Sequence, residues 1–276
     1  MVYSSQAQQA KLDYICRKLH LAPGERLLDI GCGWGALIRH AARQYGVEAV
    51  GITLSRAQAE LAERAIADEG LEGHCRVEVR DYRDLSSVGV FDKVASVGMF
   101  EHVGRSRLPE YFAAAYQVLR PGGLFLNHGI LDLEGTRPPS LAQRTRRQVL
   151  REGVFPQRYV FPDGELVPFA VAVAAAERAG FETRDVEGLR EHYMVTLREW
   201  ARRLEAHKAE TMALVGDLTF RIWRLYLALS AHSFATGRIG IVQHLLSKPG
   251  GRCGGPCTRH DLYRDNHPQA LEGSCA

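Results

Sequence analysis

The stretch "RLLDIGCGWG" at residues 26–35 decides the fold class of this chain. Its first half, "RLLDI", has the length and apolar character of a short buried strand, and glycines follow at alternate positions. Glycines directly after a strand allow a tight turn and let the backbone come close to a ligand. The stretch therefore predicts a strand, a ligand-binding loop and the start of a helix.

Strands and helices alternate on both sides of this loop. Such alternation predicts an α/β fold with a mainly parallel, doubly wound, Rossmann-like sheet that helices cover on both faces. We predict helices over residues 6–20, 34–45, 55–70 and 107–119, and strands over residues 26–30, 47–53, 75–79, 91–99 and 124–130. We also predict a turn at "RPGG", residues 120–123.

The regular alternation stops near the middle of the chain. Residues 131–164 are polar, basic and punctuated by prolines, which indicates a lid or an insertion. We predict a helix over residues 165–180, a strand over residues 181–189 and mostly helical structure over residues 194–246. The Gly- and Pro-rich residues 250–276 are expected to form a disordered tail.

These elements fit a single domain of residues 1–249. Its cofactor-binding core is predicted over residues 21–130, because the strong pattern lies there. Residues 131–160 and 194–246 are predicted as insertions, whose added helices build the pocket for the acceptor molecule.

Composition and charge limit the classes of partner and the cellular location to expect. The net charge is +3, so no strong overall field points to nucleic acid. No apolar run reaches the roughly 18 residues of a membrane-spanning helix, and no signal-peptide pattern begins the chain, so we expect a cytoplasmic protein. The basic run at residues 144–151 is typical of a solvated helix face. The alternative is that Arg144, Arg146 and Arg147 contact an anionic lipid surface.

The loop spacing distinguishes between cofactors. The glycines follow Asp29 in the form Asp-x-Gly-x-Gly-x-Gly, whereas in a nicotinamide-binding loop the third glycine falls one residue later. This form resembles the S-adenosylmethionine loop of class I methyltransferases. The resemblance implies that Asp29 orients the methionine end of S-adenosylmethionine through the loop residues Gly31, Gly33, Trp34 and Gly35. The alternative is that Asp29 only caps the turn.

Two further strand ends belong to the same predicted site. Class I enzymes commonly end the second strand with an acidic residue that binds the ribose, but this chain has Thr53 there. After the third strand, "RDYRDL" would present Asp81 and Tyr82 to the adenine. Ligands of open α/β sheets lie at the carboxyl ends of the strands, which is where these residues are predicted.

Several longer segments together resemble the family of cyclopropane-fatty-acyl-phospholipid synthases and mycolic acid cyclopropane synthases. The resemblance extends from about residue 6 to residue 249. Its most specific parts are "ITLSRAQ", where threonine replaces the ribose-binding acid, and "GMFEHVG", where a Glu-His pair ends the fourth strand. The other segments are "AQQAKLDYICRKLHLAPGERLLDIGCGWG", "RDYRDL", "LRPGGLFLNHGI", "RYVFPDGEL", "REHYMVTLREW" and "RIWRLYLALSAHSFATGRIGIVQHLLSKP".

The resemblance implies a reaction and a set of site residues. The reaction is methylene transfer from S-adenosylmethionine to the cis double bond of a phospholipid acyl chain, through a carbocation that a bound bicarbonate deprotonates. The implied bicarbonate ligands are Glu101, His128, Tyr193 and the backbone of Ile130. Thr53, Leu54 and Gln58 would line the ribose. His102, next to Glu101, is interpreted as a helix-start or packing residue.

One family residue has no counterpart in the sequence. The family places a further bicarbonate ligand, a cysteine, in a short segment before the first helix, and that segment also closes over the cofactor. Here that region reads "MVYSSQAQQAKLD", with Ser5 at the nearest position, while Cys16 lies inside the helix and Cys32 in the cofactor loop. We therefore expect the chain to lack this lid and ligand, through truncation or alteration. The tail residues match no zinc spacing, so we expect no metal site: Cys253, Cys257, His260 and Cys275.

Alternatives to cyclopropane formation stay open. The same carbocation can give a methyl or methylene branch, and a small-molecule N-methyltransferase can use the same scaffold. A non-catalytic binding protein without a complete N-terminus is the alternative outside enzymes. The expected partners are unsaturated phospholipid acyl chains and the inner membrane surface, to which the protein would bind peripherally, and a homodimer stays open.

Overall fold

One sheet organises the chain. The computed structural model describes residues 2–135, 154–162 and 164–251, with side chains from residue 6 onward except at residue 154. Within these residues the strands are β1 Arg26–Ile30, β2 Glu48–Thr53, β3 Cys75–Val79, β4 Phe91–Val97, β5 Leu119–Asp132, β6 Glu182–Gly188 and β7 Ile239–Ser247. The α-helices are α1 Val2–Lys18, α2 Ala36–Tyr45, α3 Arg56–Asp68, α4 Leu108–Val118, α5 Val154–Tyr159, α6 Phe169–Arg178, α7 Arg190–Ala206 and α8 Lys208–Ala235.

The strand order is β3-β2-β1-β4-β5-β7-β6. The pairs among β1 to β5 are parallel, and β7 runs antiparallel between β5 and β6. The predicted fold class, a mainly parallel α/β sheet covered by helices, is confirmed. Because the strand order reverses between β1 and β4, the loops that follow these strands border the crevice where such sheets bind ligands.

The prediction of mostly helical structure over residues 194–246 is wrong at its end. Residues 239–247 form β7, so the predicted acceptor-pocket insertion contains a strand of the main sheet. A short apolar run such as "IGIVQHLLS" does not distinguish a strand from a helix by periodicity alone. Pairing with strands on both sides fixes it as a strand, and this pairing is a tertiary effect.

Two smaller predictions also shift. The helix predicted from residue 165 begins at Phe169, after the Pro168 N-cap. The predicted turn "RPGG" at 120–123 is instead part of β5, where the backbone N–H of Gly122 donates to the carbonyl of Lys248. The predicted tail lies outside the described residues from residue 252 onward, as do residues 136–153 with the arginine-rich run.

Helices cover each face of the sheet with its own core. On one face, Ile15 of α1 packs with Leu37 of α2 and with strand residues such as Leu126. On the other face, Tyr111 and Phe112 of α4 pack with their own set of strand residues. A third cluster joins α7 and α8 to the ends of β5 and β7.

An ion pair attaches α1 to the edge strand β6. The Lys18 ammonium is buried and lies 3.3 Å from Asp185 and also against Glu187, which accepts a hydrogen bond from the Tyr14 hydroxyl at 2.7 Å. A buried ammonium is retained only with such partners.

None of the described helices combines the length and the apolar content of a membrane span.

Candidate functional site

The loop after β1 touches the loop after β4. Gly31 has a φ of 83°, and the N–H groups of Gly31 and Cys32 donate to the carbonyl of Ile52 at 3.0 and 2.9 Å. A Cβ atom on Gly31 would lie 2.7 Å from the side chain of Met99. Only glycine fits both this backbone conformation and this approach, so the predicted glycine loop borders the end of β4.

Asp29 is a buried carboxyl beneath this loop. It is 2% exposed, and its Oδ1 has no hydrogen-bond partner among the residues described. Burial raises the pKa of Asp29 to about 7, and the positive charge of Lys11 on α1 acts in the opposite direction. A buried acceptor without a protein partner suits a ligand that donates hydrogen bonds, such as the ammonium group of an amino acid.

A small network of hydrogen bonds lies at the end of β2. The Thr53 hydroxyl donates to Oε1 of Gln58 at 2.9 Å and accepts from the N–H of Ser55, whose own hydroxyl caps α3. Leu54 is 71% exposed at the tip of this turn, and Trp34 is 56% exposed in the glycine loop. The structure thus presents two apolar side chains to solvent, one in the loop after β1 and one in the loop after β2.

Asp81 and Tyr82, the two residues predicted to face the adenine, lie in different surroundings. Both oxygens of Asp81 are engaged by the Arg83 guanidinium, at 2.9 and 2.6 Å, and this hydrogen bonding holds the pKa of Asp81 below its usual range. Tyr82 is buried with its ring edge-on to Tyr111, at 5.6 Å between centroids. The ring of Tyr82 therefore belongs to the core below α4 rather than to the loop surface.

Glu101 lies in a short 3-10 helix directly after β4. Its Oε1 accepts the backbone N–H of Ile130 at 2.6 Å, and its buried Oε2 has no partner within the described part of the chain. Burial raises the pKa of Glu101, while hydrogen bonds from backbone N–H groups act against the shift. The Ile130 N–H, expected to face a ligand, is thus donated to Glu101.

His128 lies on β5 with Val97 of β4 as its Cα partner on one side and Gln243 of β7 on the other. It is 6% exposed, and its Nδ1 has no partner among the described residues. Burial lowers the pKa of His128 to about 3, with further contributions from the charges of Lys11 and Lys18. The ring is therefore neutral at physiological pH, with one nitrogen that donates and one that accepts.

Tyr193 approaches from the first turn of α7. Its ring packs on Phe234 and Trp200, with centroid distances of 4.9 and 6.2 Å, and it contacts the cluster that includes Ile130. Burial raises the pKa of the Tyr193 hydroxyl, and negative charge on Tyr226 and Glu101 acts in the same direction. The hydroxyl therefore stays protonated and can donate.

Other reactive residues lie apart from this group. His102 is exposed and packs edge-on against Phe161, at 5.5 Å between ring centroids. Cys16, Cys32 and Cys75 are buried thiols whose pKa values are raised by burial. Within residues 2–135, 154–162 and 164–251, no cluster of His, Cys, Asp or Glu has the composition of a metal site.

Lys11 and Gln243 were not predicted from the sequence as part of this region. Lys11 lies in a segment that otherwise only predicts an amphipathic helix. Gln243 stands as one polar residue inside the apolar run "IGIVQHLLS", and that break in the pattern was the available signal.

The chain is similar to several known proteins. A family model described as mycolic acid cyclopropane synthetase matches residues 3–244. A probable fatty acid methyltransferase of Pseudomonas putida is 46% identical over 263 residues, and the match covers 94% of this chain and 64% of that protein. A second probable fatty acid methyltransferase, from Mycobacterium tuberculosis, is 40% identical over 243 residues and is covered over 54% of its length. The chain thus spans less than two thirds of these two relatives.

A solved structure shares the same arrangement of elements. The mycolic acid cyclopropane synthase CmaA1, complexed with SAH and CTAB, superposes with a TM-score of 0.81 at 32% identity, over 88% of this chain and 85% of that one.

Proposed function

Because the chain belongs to the mycolic acid cyclopropane synthetase family, we propose that it transfers a methylene group from S-adenosylmethionine to an unsaturated fatty acyl chain of a phospholipid. The product proposed is a cyclopropane fatty acid. The observation that carries the proposal is the pair of buried carboxyl oxygens at the carboxyl edge of the sheet, on Asp29 and Glu101, that have no partner among the described residues.

S-adenosylmethionine suits the first part of this edge. The partnerless Oδ1 of Asp29 would accept from the ammonium of the methionine end, and the glycine loop leaves room for the backbone to approach it. Thr53 and Gln58 would face the ribose hydroxyls, with Leu54 covering them. A contact of Asp81 with the adenine would need Arg83 to turn away. We therefore expect Asp81 to contribute less to cofactor binding than Asp29 does.

The chemistry needs a dry pocket and negative charge close to the acyl chain. The π electrons of the double bond form a bond to the sulfonium methyl carbon, and the electron pair of the carbon–sulfur bond stays on sulfur. The positive charge then lies on the acyl chain until a proton leaves the transferred carbon and the ring closes. A buried carboxylate at Glu101 and the face of Tyr193 stabilise such a cation more strongly than water does.

Bicarbonate suits the part of this sheet edge around Glu101. The atoms that would hold it are the partnerless Oε2 of Glu101, a ring nitrogen of His128 and the Tyr193 hydroxyl. The Ile130 N–H would contribute only if it is shared with Glu101. When bound, bicarbonate supplies a base for the departing proton.

A second product is favoured by one observation. The two relatives named above are described as probable fatty acid methyltransferases. If this chain acts in that way, the same cation would end by loss of a different proton and leave a methyl or methylene branch. The residues proposed here serve both outcomes. No contact in the described part of the chain favours a small-molecule acceptor or a protein that only binds the cofactor.

We further propose that the protein binds peripherally to an anionic phospholipid surface through α8. Leu218, Ile222, Leu225 and Leu229 follow one another at helical spacing, and the three leucines are 72, 46 and 43% exposed. We call these four residues the apolar stripe of α8. An exposed apolar face of this length marks a contact surface.

The surroundings of the apolar stripe suit lipid. The side chains of Arg221 and Arg224 beside it are 73 and 62% exposed. They pair with the exposed carboxylates of Asp217, at 3.6 Å, and Glu205, which lipid phosphates would replace. The opposite face of the helix packs with Tyr193 through Phe234. An acyl chain leaving the bilayer at α8 would therefore enter next to the proposed site.

The direct test is transfer of label into lipid. Protein incubated with methyl-labelled S-adenosylmethionine and vesicles of unsaturated phosphatidylglycerol should place label in the extracted acyl chains. Glu101→Gln, which keeps the shape of the side chain and removes its charge, is the matched control and should transfer little. If the unaltered chain transfers no label into the lipid, the proposal is contradicted.

A further inference from the structure

Two buried polar side chains face each other across β5 and β7. His128 and Gln243 are Cα partners in this antiparallel pair, on the sheet face that α1 covers. They are 6 and 1% exposed. Directly opposed side chains in such a pair have Cβ atoms roughly 5 Å apart, which is within reach of a glutamine amide.

Each of the two side chains holds a buried atom without a partner. These atoms are Nδ1 of His128 and Oε1 of Gln243; neither has a partner among the described residues, so the structure forms no hydrogen bond between them. A rotation of the Gln243 amide would be needed to join them. A buried amide oxygen and a buried ring nitrogen both lose free energy unless they are hydrogen-bonded. One hydrogen bond between them would satisfy both.

The residue on the other side of Gln243 influences whether the amide oxygen or the amide nitrogen faces His128. Gln243 is also the Cα partner of Glu187 on β6. The Glu187 carboxylate, which Lys18 and Tyr14 hold in place, repels an amide oxygen and attracts an amide N–H. This charge favours an amide of Gln243 with its nitrogen toward Glu187 and its oxygen toward His128.

We infer that Gln243 is a positioning residue for His128, whose Nδ1–H donates to the Gln243 amide oxygen, so that Nε2 is left as an acceptor for the site. The ring carries a single proton at neutral pH, because burial lowers the pKa of His128 to about 3. Fixing that proton on Nδ1 fixes the role of Nε2. His128 then accepts at the site, and the Tyr193 hydroxyl donates. The catalytic part of this inference rests on the proposed function.

The tautomer of His128 can be observed without turnover. In protein labelled with ¹⁵N in histidine, long-range ¹H–¹⁵N spectra separate the two neutral tautomers, and His128→Gln identifies the signals of this residue. We expect the Nδ1–H form in the unaltered chain and a shift toward the Nε2–H form in Gln243→Met, which keeps volume and removes the amide. Leu245→Met, on the same strand and face, is the control and should leave the tautomer unchanged.

A second variant guards against a loss of folding. Gln243→Asn keeps the amide on a shorter side chain and should give a mixture of the two tautomers. In turnover assays, Gln243→Met should lower kcat roughly tenfold or more with little change in the KM for S-adenosylmethionine. An Nε2–H tautomer in the unaltered chain, or an unchanged tautomer in both Gln243 variants, would overturn the inference. Absence of turnover with the expected tautomers would count against the proposed function alone.

Discussion

Oε1 of Glu101 accepts the backbone N–H of Ile130 at 2.6 Å, which joins the segment after β4 to the C-terminal end of β5. This hydrogen bond orients the carboxyl group, and Oε2 stays buried without a partner in the described part of the chain. The strand pairing places His128 two residues before Ile130 on the same face of β5. A carboxyl and an imidazole from different sequence segments thus lie at one edge of the sheet.

Glu101→Gln tests whether this carboxyl serves the reaction or the cofactor. Glutamine keeps an oxygen for the Ile130 N–H but carries no charge to stabilise a cation. We expect turnover to fall roughly 100-fold or more, while the affinity for S-adenosylhomocysteine, measured by calorimetry, stays within about tenfold. An equal loss of affinity would show that Glu101 belongs to the cofactor site.

Asp29→Asn should give the opposite result in binding. The variant removes the buried acceptor proposed for the methionine ammonium, so the affinity for S-adenosylhomocysteine should fall by more than about tenfold. If the variant binds the ligand as tightly as the unaltered chain does, Asp29 only caps the turn.

The same variant carries a stability prediction. The pKa of Asp29 is raised from 3.8 to about 7 by burial, so between these values the folded state holds a proton that the unfolded chain has lost. This contribution to stability is complete below the lower value and is lost as the pH rises through about 7. Asp29→Asn cannot ionise. In urea unfolding without ligand, its stability relative to the unaltered chain should therefore be higher at about pH 8 than at about pH 5. A difference that does not change with pH would contradict the buried, partnerless carboxyl.

Tyr193→Phe separates packing from hydrogen bonding. The ring contacts with Phe234 and Trp200 remain, so the free energy of unfolding should change by no more than about 1 kcal/mol. Loss of the donor should lower turnover roughly 10- to 100-fold. His102→Ala, which removes an exposed ring, is the control and should leave turnover unchanged. Full activity of Tyr193→Phe would remove the hydroxyl from the mechanism.

The apolar stripe of α8 predicts a change in vesicle binding. Leu218→Asn combined with Leu225→Asn should weaken co-sedimentation with phosphatidylglycerol vesicles by about tenfold or more, since each change removes exposed apolar area that lipid would bury. Leu61→Asn, on α3 and 45% exposed, is the matched control and should bind as before. Unchanged vesicle binding by the double variant would contradict the proposal. So would a dimer of the unaltered chain that the same two substitutions separate, because a second copy would then cover the stripe.

Local signals explain which parts of the fold were predictable. The strand, glycine loop and helix around Asp29 depend on neighbouring residues, and the structure has them as predicted. The family resemblance seen in the motifs is confirmed by the family model and by the shared fold of the solved relative. β7 was missed because its strand conformation depends on β5 and β6 rather than on its own sequence.

The candidate site was predictable only in part, for a related reason. Sequence placed Glu101 and His128 at strand ends, and adjacent parallel strands bring them to one edge. The ion pair of Asp81 with Arg83 and the burial of Tyr82 depend on side-chain choices that strand patterns do not encode. The pairing of His128 with Gln243 depends on the register of an antiparallel pair whose second strand was not predicted.

The measurement that tests the central claim most directly is mass spectrometry of acyl chains. The chain is incubated with S-adenosylmethionine and vesicles of monounsaturated phospholipid, and the fatty acids are analysed before and after mild catalytic hydrogenation. We predict acyl chains that have gained one CH2 group and take up no hydrogen, as a cyclopropane ring requires. A gain of CH2 with uptake of hydrogen would show a branched, still unsaturated product, and acyl chains without any gain would contradict the lipid function.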